Sequence, residues 1–331
     1  MFNQNIHRVG FACKFEDNTT PNLKTTTITW LNSAPRGSAE EKLYNLLKHN
    51  LTSLFSQIKK IASLDPNKRM FRISSEVLPA YTHESWSWFY HQKEVQLLLE
   101  RELSKIGDYA RAHDVRLSFH PGQFCVLASD NSQVVENSIW EFEYHCDLIR
   151  MMGFGKSFQD FKCNVHIGGK NGPQGIVSAL KRLSAVARNV LTIENDEFKW
   201  GLESSLELVN HCALVLDIHH HWIRTGEYIE PSDPRVQALK ESWRGVRPVI
   251  HYSVSREGAV EEVWPVEVLP DLGILTQDVG LTKTNLRAHS DYYWNKASNV
   301  WCYSFSEDFD IMLESKTKDL AHKKFCVEMK H

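Results

Sequence analysis

The strongest constraint on how this chain can fold is a short apolar run that recurs and ends, each time, in groups able to bind a metal. Asn189-Val-Leu-Thr-Ile-Glu194-Asn195-Asp196 is the clearest instance. Arg116-Leu-Ser-Phe-His120 ends in a histidine, and Cys163-Asn-Val-His166-Ile-Gly-Gly169 carries one near its end. Ala213-Leu-Val-Leu-Asp217-Ile-His219-His220-His221 delivers an acid and three imidazoles. Pro248-Val-Ile-His251-Tyr-Ser253 and Phe309-Asp-Ile-Met-Leu-Glu314-Ser315 extend the series. Short β-rich runs without polar alternation read as parallel strands buried on both faces. Functional groups at the carboxyl ends of several such strands are how a (β/α)8 barrel, the TIM barrel, builds a site.

The rest of the chain supplies the helices this requires. Arg8 to Cys13 reads as the first strand. A polar Thr-rich loop (Asn18 to Thr29) follows, then a helix from Ser38 to about Leu64, with Ser38 and Glu41 spaced for a capping box. Met70 to Ser75 is the second strand, and Lys93 to His113 repeats apolar residues on one helical face. Helical patterns near Gln133–Met152, Ile176–Arg188, Glu203–His211 and Pro234–Trp243 then separate the remaining strands. A long acidic, Pro-containing excursion (Glu257 to Gly280) precedes the eighth, and such loops are usually functional or disordered. The segment from about Lys316 is weakly patterned, and its last residues are expected to fray. Eight strand-like runs alternating with helices favour a closed α/β barrel over an open sheet. No Gly-rich dinucleotide fingerprint or phosphate-binding P-loop is present.

The 331 residues exceed the ~250 typical of such a barrel by an amount that inserted loops absorb, so one domain spanning 1–331 is expected. A net charge of −3 excludes a globally basic protein, so nucleic-acid binding would need a local basic face and metal ions. Seven cysteines with no Cys-x-x-Cys pair suit a reducing compartment. No signal segment or membrane span is read, which makes a cytoplasmic (in a bacterium, nucleoid-associated), monomeric protein the expectation.

Collected from the strand ends, the candidate ligands are His120, His166, Glu194, Asp217, His220, His251, His289 and Glu314, with Glu76 a weaker ninth. Each alone is weak evidence; their recurrence at one end of successive strands makes the case. Buried unpaired carboxylates are costly, and a cation removes that cost. Imidazoles with carboxylates suit Mn, Zn or Fe, and there are too many ligands for one tetrahedral ion, so two or more ions sharing carboxylates are expected. Such clusters serve phosphodiester hydrolysis by stabilising both the attacking and the leaving oxygen. They also serve sugar isomerases by holding hydroxyls, so the ligand set leaves the reaction open.

The motifs narrow it. His120-Pro121-Gly122-Gln123-Phe124, Arg72-Ile-Ser-Ser75 with Pro79, His166-Ile-Gly-Gly169, Glu194-Asn-Asp196, Asp217-Ile-His-His220 and Arg287-Ala-His289-Ser-Asp291-Tyr292 together resemble the ultraviolet damage endonuclease family, from about Arg8 to Glu314. Glu-Asn-Asp and His-Pro-Gly are shared in part with endonuclease IV-type apurinic enzymes and barrel isomerases, whereas Arg-x-Ser-Ser and His-Ser-Asp-Tyr are narrower. The resemblance implies a divalent cluster, typically of three ions and often manganese (Zn²⁺, Mg²⁺ or Co²⁺ being alternatives), that nicks damaged double-stranded DNA immediately 5′ of pyrimidine photoproducts. It implies that the eight residues His120 to Glu314 are ligands, that Glu194 and His251 are catalytic, and that Gln123, Phe124, Phe11 and Arg287 touch the substrate. A wedge at Gln123 and Phe124 is physically apt, because unstacking costs less where damage has already weakened the stack. Phe11 and Phe124 stand where the family often has tyrosine. Val249 stands where it commonly has a lysine whose carbamylated form can help bridge metals.

Other features have plainer readings. Trp86, Trp88, Phe89 and Tyr90 are expected to cap the barrel as core. Lys14, Arg36, Lys170, Lys199, Arg256, Lys283 and Arg287 fall in or near loops after strand ends and would contact phosphates if they share a face. His220 is expected beside Asp217, with His219 and His221 outside the ligand set. The rival functions are an apurinic endonuclease, a sugar isomerase, and a non-catalytic DNA-binding barrel that has lost a metal.

Overall fold

The computed structural model describes residues 2–331. Eight parallel strands close on themselves in sequence order: β1 (Val9–Cys13), β2 (Met70–Ile73), β3 (Arg116–Phe119), β4 (Lys162–His166), β5 (Leu191–Glu194), β6 (Ala213–Asp217), β7 (Val249–Tyr252) and β8 (Asp310–Leu313), with β8 pairing back onto β1. The expected (β/α)8 barrel is therefore present. Long helices at Arg36–Ala62, Lys93–Ala112 and Ser132–Met151 wrap the first half, and shorter ones the second.

Because strand side chains alternate, every second residue points into the barrel. Ala12, Met70, Ala213, Val215, Val249 and Met312 form an apolar plug, with Trp243 beneath, separate from the larger core between strands and helices. The plug divides the interior into two charged mouths. Of the four aromatics expected as core, Trp86, Phe89 and Tyr90 are buried and Trp88 is only half-buried, and all seven cysteines are free. Among the described residues no helix is long and apolar enough to cross a membrane.

Three local expectations are corrected. The first long helix starts at Arg36 behind Pro35, with no side-chain cap, so Ser38 and Glu41 lie inside it and form no capping box. The Thr-rich loop ends in a short helix, Ile28–Ser33, capped by Thr27. The carboxyl end is tied down: the His331 backbone N–H donates to the Cys326 carbonyl, and its ring lies 2.9 Å from the Asn67 carbonyl.

The long excursion is closed at its base. Ser255 bridges to His289, and the Glu257 carboxylate accepts from the backbone N–H groups of Asp291 and Tyr292 at 2.9 and 2.6 Å. This clamp fixes Arg287 and His289 over the barrel mouth. Gly169 fixes the neighbouring loop: at φ +101° it lies so close to the Ala128 backbone that a Cβ would sit 2.4 Å from it.

Candidate metal centre and DNA-facing cleft

Strand register brings the ligands together. His166 pairs with Glu194 across β4 and β5, and Asp217 with His251 across β6 and β7, so two imidazoles and two acids share one level at the carboxyl ends. His120 and Glu314 stand one residue beyond β3 and β8. Donor atoms of His120, His166 and Glu194 lie within 4.8 Å of one another, as do those of Glu194, Asp217 and His251, so Glu194 belongs to both groups. Its carboxylate lies 3.3 Å from His120 Nε2, 3.1 Å from His251 Nδ1 and 3.6 Å from His220 Nδ1.

Neighbouring groups aim these side chains. Asn164, one inward position below His166, donates to Glu194 and accepts from the Thr192 hydroxyl at 2.8 Å. Asn195 ties β5 to β6, accepting from the Asp217 N–H at 2.9 Å and donating to its carbonyl at 3.1 Å. Asp217 caps the helix Ile218–Thr225, its Oδ1 accepting from the His220 N–H at 2.8 Å. That extra helix, which the strand-like reading of the triple histidine did not foresee, sets His220 one turn along on the face of Asp217. His219 bonds the Leu286 carbonyl and His221 bonds Glu227, so neither joins the cluster. His120 and His220 each turn Nδ1 to a backbone carbonyl, of Pro121 and Asn195. Carbonyls only accept, so both Nδ1 atoms carry a proton, which leaves Nε2 as the atom each would turn to a cation.

Electrostatics sort the set into two classes. Burial pushes His166 and His251 down to about 4, so they are neutral and ready to ligate. Burial opposes charge on His220 too, but Asp217, Glu194 and Glu197 outweigh it and raise the imidazole to about 9. Burial raises Asp217 to about 8, with Glu194 and Glu314 adding to it and His220 opposing. For Glu194 the burial penalty is overcome by His251, His166 and His120, which hold its carboxyl well below the usual range. Arg72, ion-paired with Glu314, does the same for that acid.

These residues fit a divalent cation. Asp217 Oδ2 and His251 Nδ1 are buried without hydrogen-bond partners, and although Glu194 and Glu314 each stand 3.1 Å from His251 Nδ1, neither is aligned to bond it. A buried polar atom left so is expensive unless something else binds it, and a hard or borderline cation suits an oxygen and an imidazole nitrogen. Glu76 is exposed and joins neither donor group. His289 and Glu314 line a cleft of about 300 Å³ above the cluster with Gln123, Glu197, His220 and Arg287.

Of the expected substrate contacts, Gln123 and Phe124 are exposed on the loop after β3, Phe124 at 85%. Arg287 lines the same cleft as Gln123, its Nε 3.3 Å from Glu197. Phe11 is corrected. It is 1% exposed and packs its ring against Phe15, Phe71 and His322, between β1 and the last helix, so no substrate reaches it.

Lys162 was missed. Val249 is part of the apolar plug, yet an amine reaches the cluster from another strand, with Lys162 Nζ 2.8 Å from His251 Nε2 and burial pushing it down to about 7. The signal was available: counting back by twos from His166 gives Asn164 and Lys162 on the same inward face. Glu197 was also passed over, because it lies beyond the strand end, where parity no longer applies.

The comparisons agree with this geometry. The family described as UV-endonuclease UvdE matches residues 7–331. UV DNA damage endonucleases of Bacillus thuringiensis subsp. konkukian (strain 97-27) and Bacillus anthracis are each 27% identical, over 92% of this chain and 89% of their own. The crystal structure of SacUVDE matches with a TM-score of 0.74 at 25% identity over 98% of both chains. Endonuclease IV from Thermus thermophilus shares the fold, with a TM-score of 0.55 at 14% identity over 84% of this chain and 94% of its own. With the match running through the last residue and covering every strand of the barrel, the chain belongs to the UV-endonuclease UvdE family.

Proposed function

We propose that this protein is a metal-dependent UV damage endonuclease that nicks double-stranded DNA immediately 5′ of pyrimidine photoproducts and so starts their excision. The observation that carries the metal dependence is the pair of buried, unpartnered ligand atoms, Asp217 Oδ2 and His251 Nδ1, beside a carboxylate that belongs to both donor groups. His120, His166, Glu194, Asp217, His220, His251, His289 and Glu314 would hold two or three divalent ions, with manganese preferred. When bound, those ions supply Lewis-acid stabilisation of charge on the phosphodiester during an in-line displacement.

The chain's own residues do the rest. Arg287, held at the rim by Glu197, is placed to orient the scissile phosphate. Glu194 and His251 fix the spacing of the reacting centre, Asn164 and Lys162 holding each from below. Phe124 and Gln123 fill the space left when damaged bases leave the stack, which selects distorted sites without reading sequence. A monomer acting on chromosomal DNA in the cytoplasm is the matching cellular setting.

The test is incubation of purified protein with a labelled duplex carrying one photoproduct, after chelation and with or without Mn²⁺, resolved on a denaturing gel. A manganese-dependent nick directly 5′ of the lesion is expected. Cleavage of abasic but not photodamaged duplex, or no cleavage, would overturn the assignment.

A further inference from the structure

The loop after β5 carries a second exposed aromatic that neither the motifs nor the ligand set accounts for. Phe198 is 47% exposed, and its position is built. Asp196 Oδ1 accepts from the backbone N–H groups of Phe198 and Lys199 at 2.7 and 2.5 Å, and the Asp196 N–H donates to the Trp200 carbonyl at 2.9 Å. Trp200 Nε1 anchors the turn to the Gly169 carbonyl at 2.7 Å, and Arg224 donates to the Phe198 carbonyl. These contacts fix the loop backbone, so the exposed ring is presented in one place.

Its surroundings name the chemistry. The Arg287 guanidinium lies 5.3 Å from the Phe198 ring centroid while Glu197 holds its Nε. Lys199, the next residue, bonds the Lys170 carbonyl, and Lys283 bonds the carbonyl of Arg224, whose own guanidinium holds the Phe198 carbonyl, so cationic side chains border this loop. Aromatic faces among cations are how proteins grip unstacked nucleotides, the base stacking on the ring and the phosphate meeting the cation. Gln123, next to Phe124, and Glu197 and Arg287, next to Phe198, line one and the same cleft.

We propose that Phe198, with Arg287, is a second DNA-contacting post, on which an unstacked base packs beside the cleft that Gln123 also lines. This rests on the endonuclease reading above. Two posts hold a locally unstacked duplex open between them, whereas one wedge alone can slip back as the stack re-forms. A regular duplex offers no base to the second post, so Phe198 adds to discrimination as well as to affinity.

The experiment uses full-length protein loaded with Mn²⁺ and photoproduct duplexes in which 2-aminopurine replaces, one position at a time, the nucleotides flanking and opposite the lesion. For the wild type one position is expected to be quenched by stacking in the complex. Phe198→Ala should brighten that position and weaken binding to the damaged duplex about tenfold, and Phe198→Trp should restore both. Unaltered Mn²⁺ affinity in each variant shows that the barrel is intact. A wild type that neither binds nor nicks the photoproduct duplex overturns the endonuclease reading and this proposal together. A wild type that does both, alongside a Phe198→Ala protein equal to it in affinity and fluorescence, overturns the second post alone.

Discussion

The two mouths of the barrel hold similar charged residues in opposite states. At the amino ends of the strands, Asp310 accepts from Arg116 at 2.6 Å, Arg247 at 2.8 Å and the Arg8 backbone at 2.7 Å, while Asp114 takes Arg8 at 2.6 Å and the Asn3 backbone at 2.7 Å. Both oxygens of both acids are used. At the carboxyl ends, Asp217 Oδ2 and His251 Nδ1 have charged neighbours but no hydrogen-bond partner, and several imidazoles crowd one glutamate. Buried charge that is internally matched locks a structure, whereas buried ligand atoms left open create a demand only a cation satisfies. One mouth is a lock and the other a socket.

The sharpest way to break this contrast is to remove an acid from each mouth. Glu194→Gln should lower nicking by about a thousandfold, equivalent to about 4 kcal/mol of transition-state stabilisation, while binding to photodamaged duplex persists; this is read by single-turnover cleavage and a gel-shift. Asp310→Asn should leave Arg116 and Arg247 facing each other unpaired and cost about 3–5 kcal/mol of stability, visible as a lower urea midpoint. If Glu194→Gln proved the more destabilising and Asp310→Asn the more inactivating, the division between lock and socket would be wrong.

A pH titration sharpens it. Asp217 and His220 face each other, burial raising the acid to about 8 and the charge of the acid raising the imidazole to about 9, so the pair shares at least one proton at neutral pH in the metal-free protein, while His166 and His251, lowered to about 4, stay neutral. A cation held by Asp217 and His220 must displace whatever protons the pair carries, so Mn²⁺ affinity should rise between pH 6 and 8 by up to about tenfold per pH unit for each proton released. Calorimetry in buffers of different ionisation enthalpy counts those protons, and a pH-independent affinity would contradict the arrangement. The smallest expected effect lies outside the cluster. Phe124→Ala should reduce the preference for damaged over intact duplex by about tenfold, measured by competition binding, with Mn²⁺ affinity unchanged.

The socket was more legible in the sequence than the lock. Metal-binding side chains at successive strand ends are a local pattern, so His120, His166, Glu194, Asp217, His251 and Glu314 could be read one strand at a time, and the motifs around them carried the family. The lock joins residues as far apart as Arg8 and Asp310, and a pairing over that separation leaves no local trace.

What the sequence determined by itself was periodicity: eight apolar runs, the helices between them, and which residues terminate the strands. What only the tertiary structure decided was parity and register. Phe11 and Ala12 are adjacent and both apolar, and nothing local says which faces the barrel axis; closure against β2 and β8 turned Ala12 into the plug and Phe11 outward to the last helix. The same closure carried Lys162 to His251 although they lie 89 residues apart. A strand's side chains alternate at every residue, so a shift of one reverses every assignment on that strand, and only the full ring of eight strands fixes which of the two it adopts.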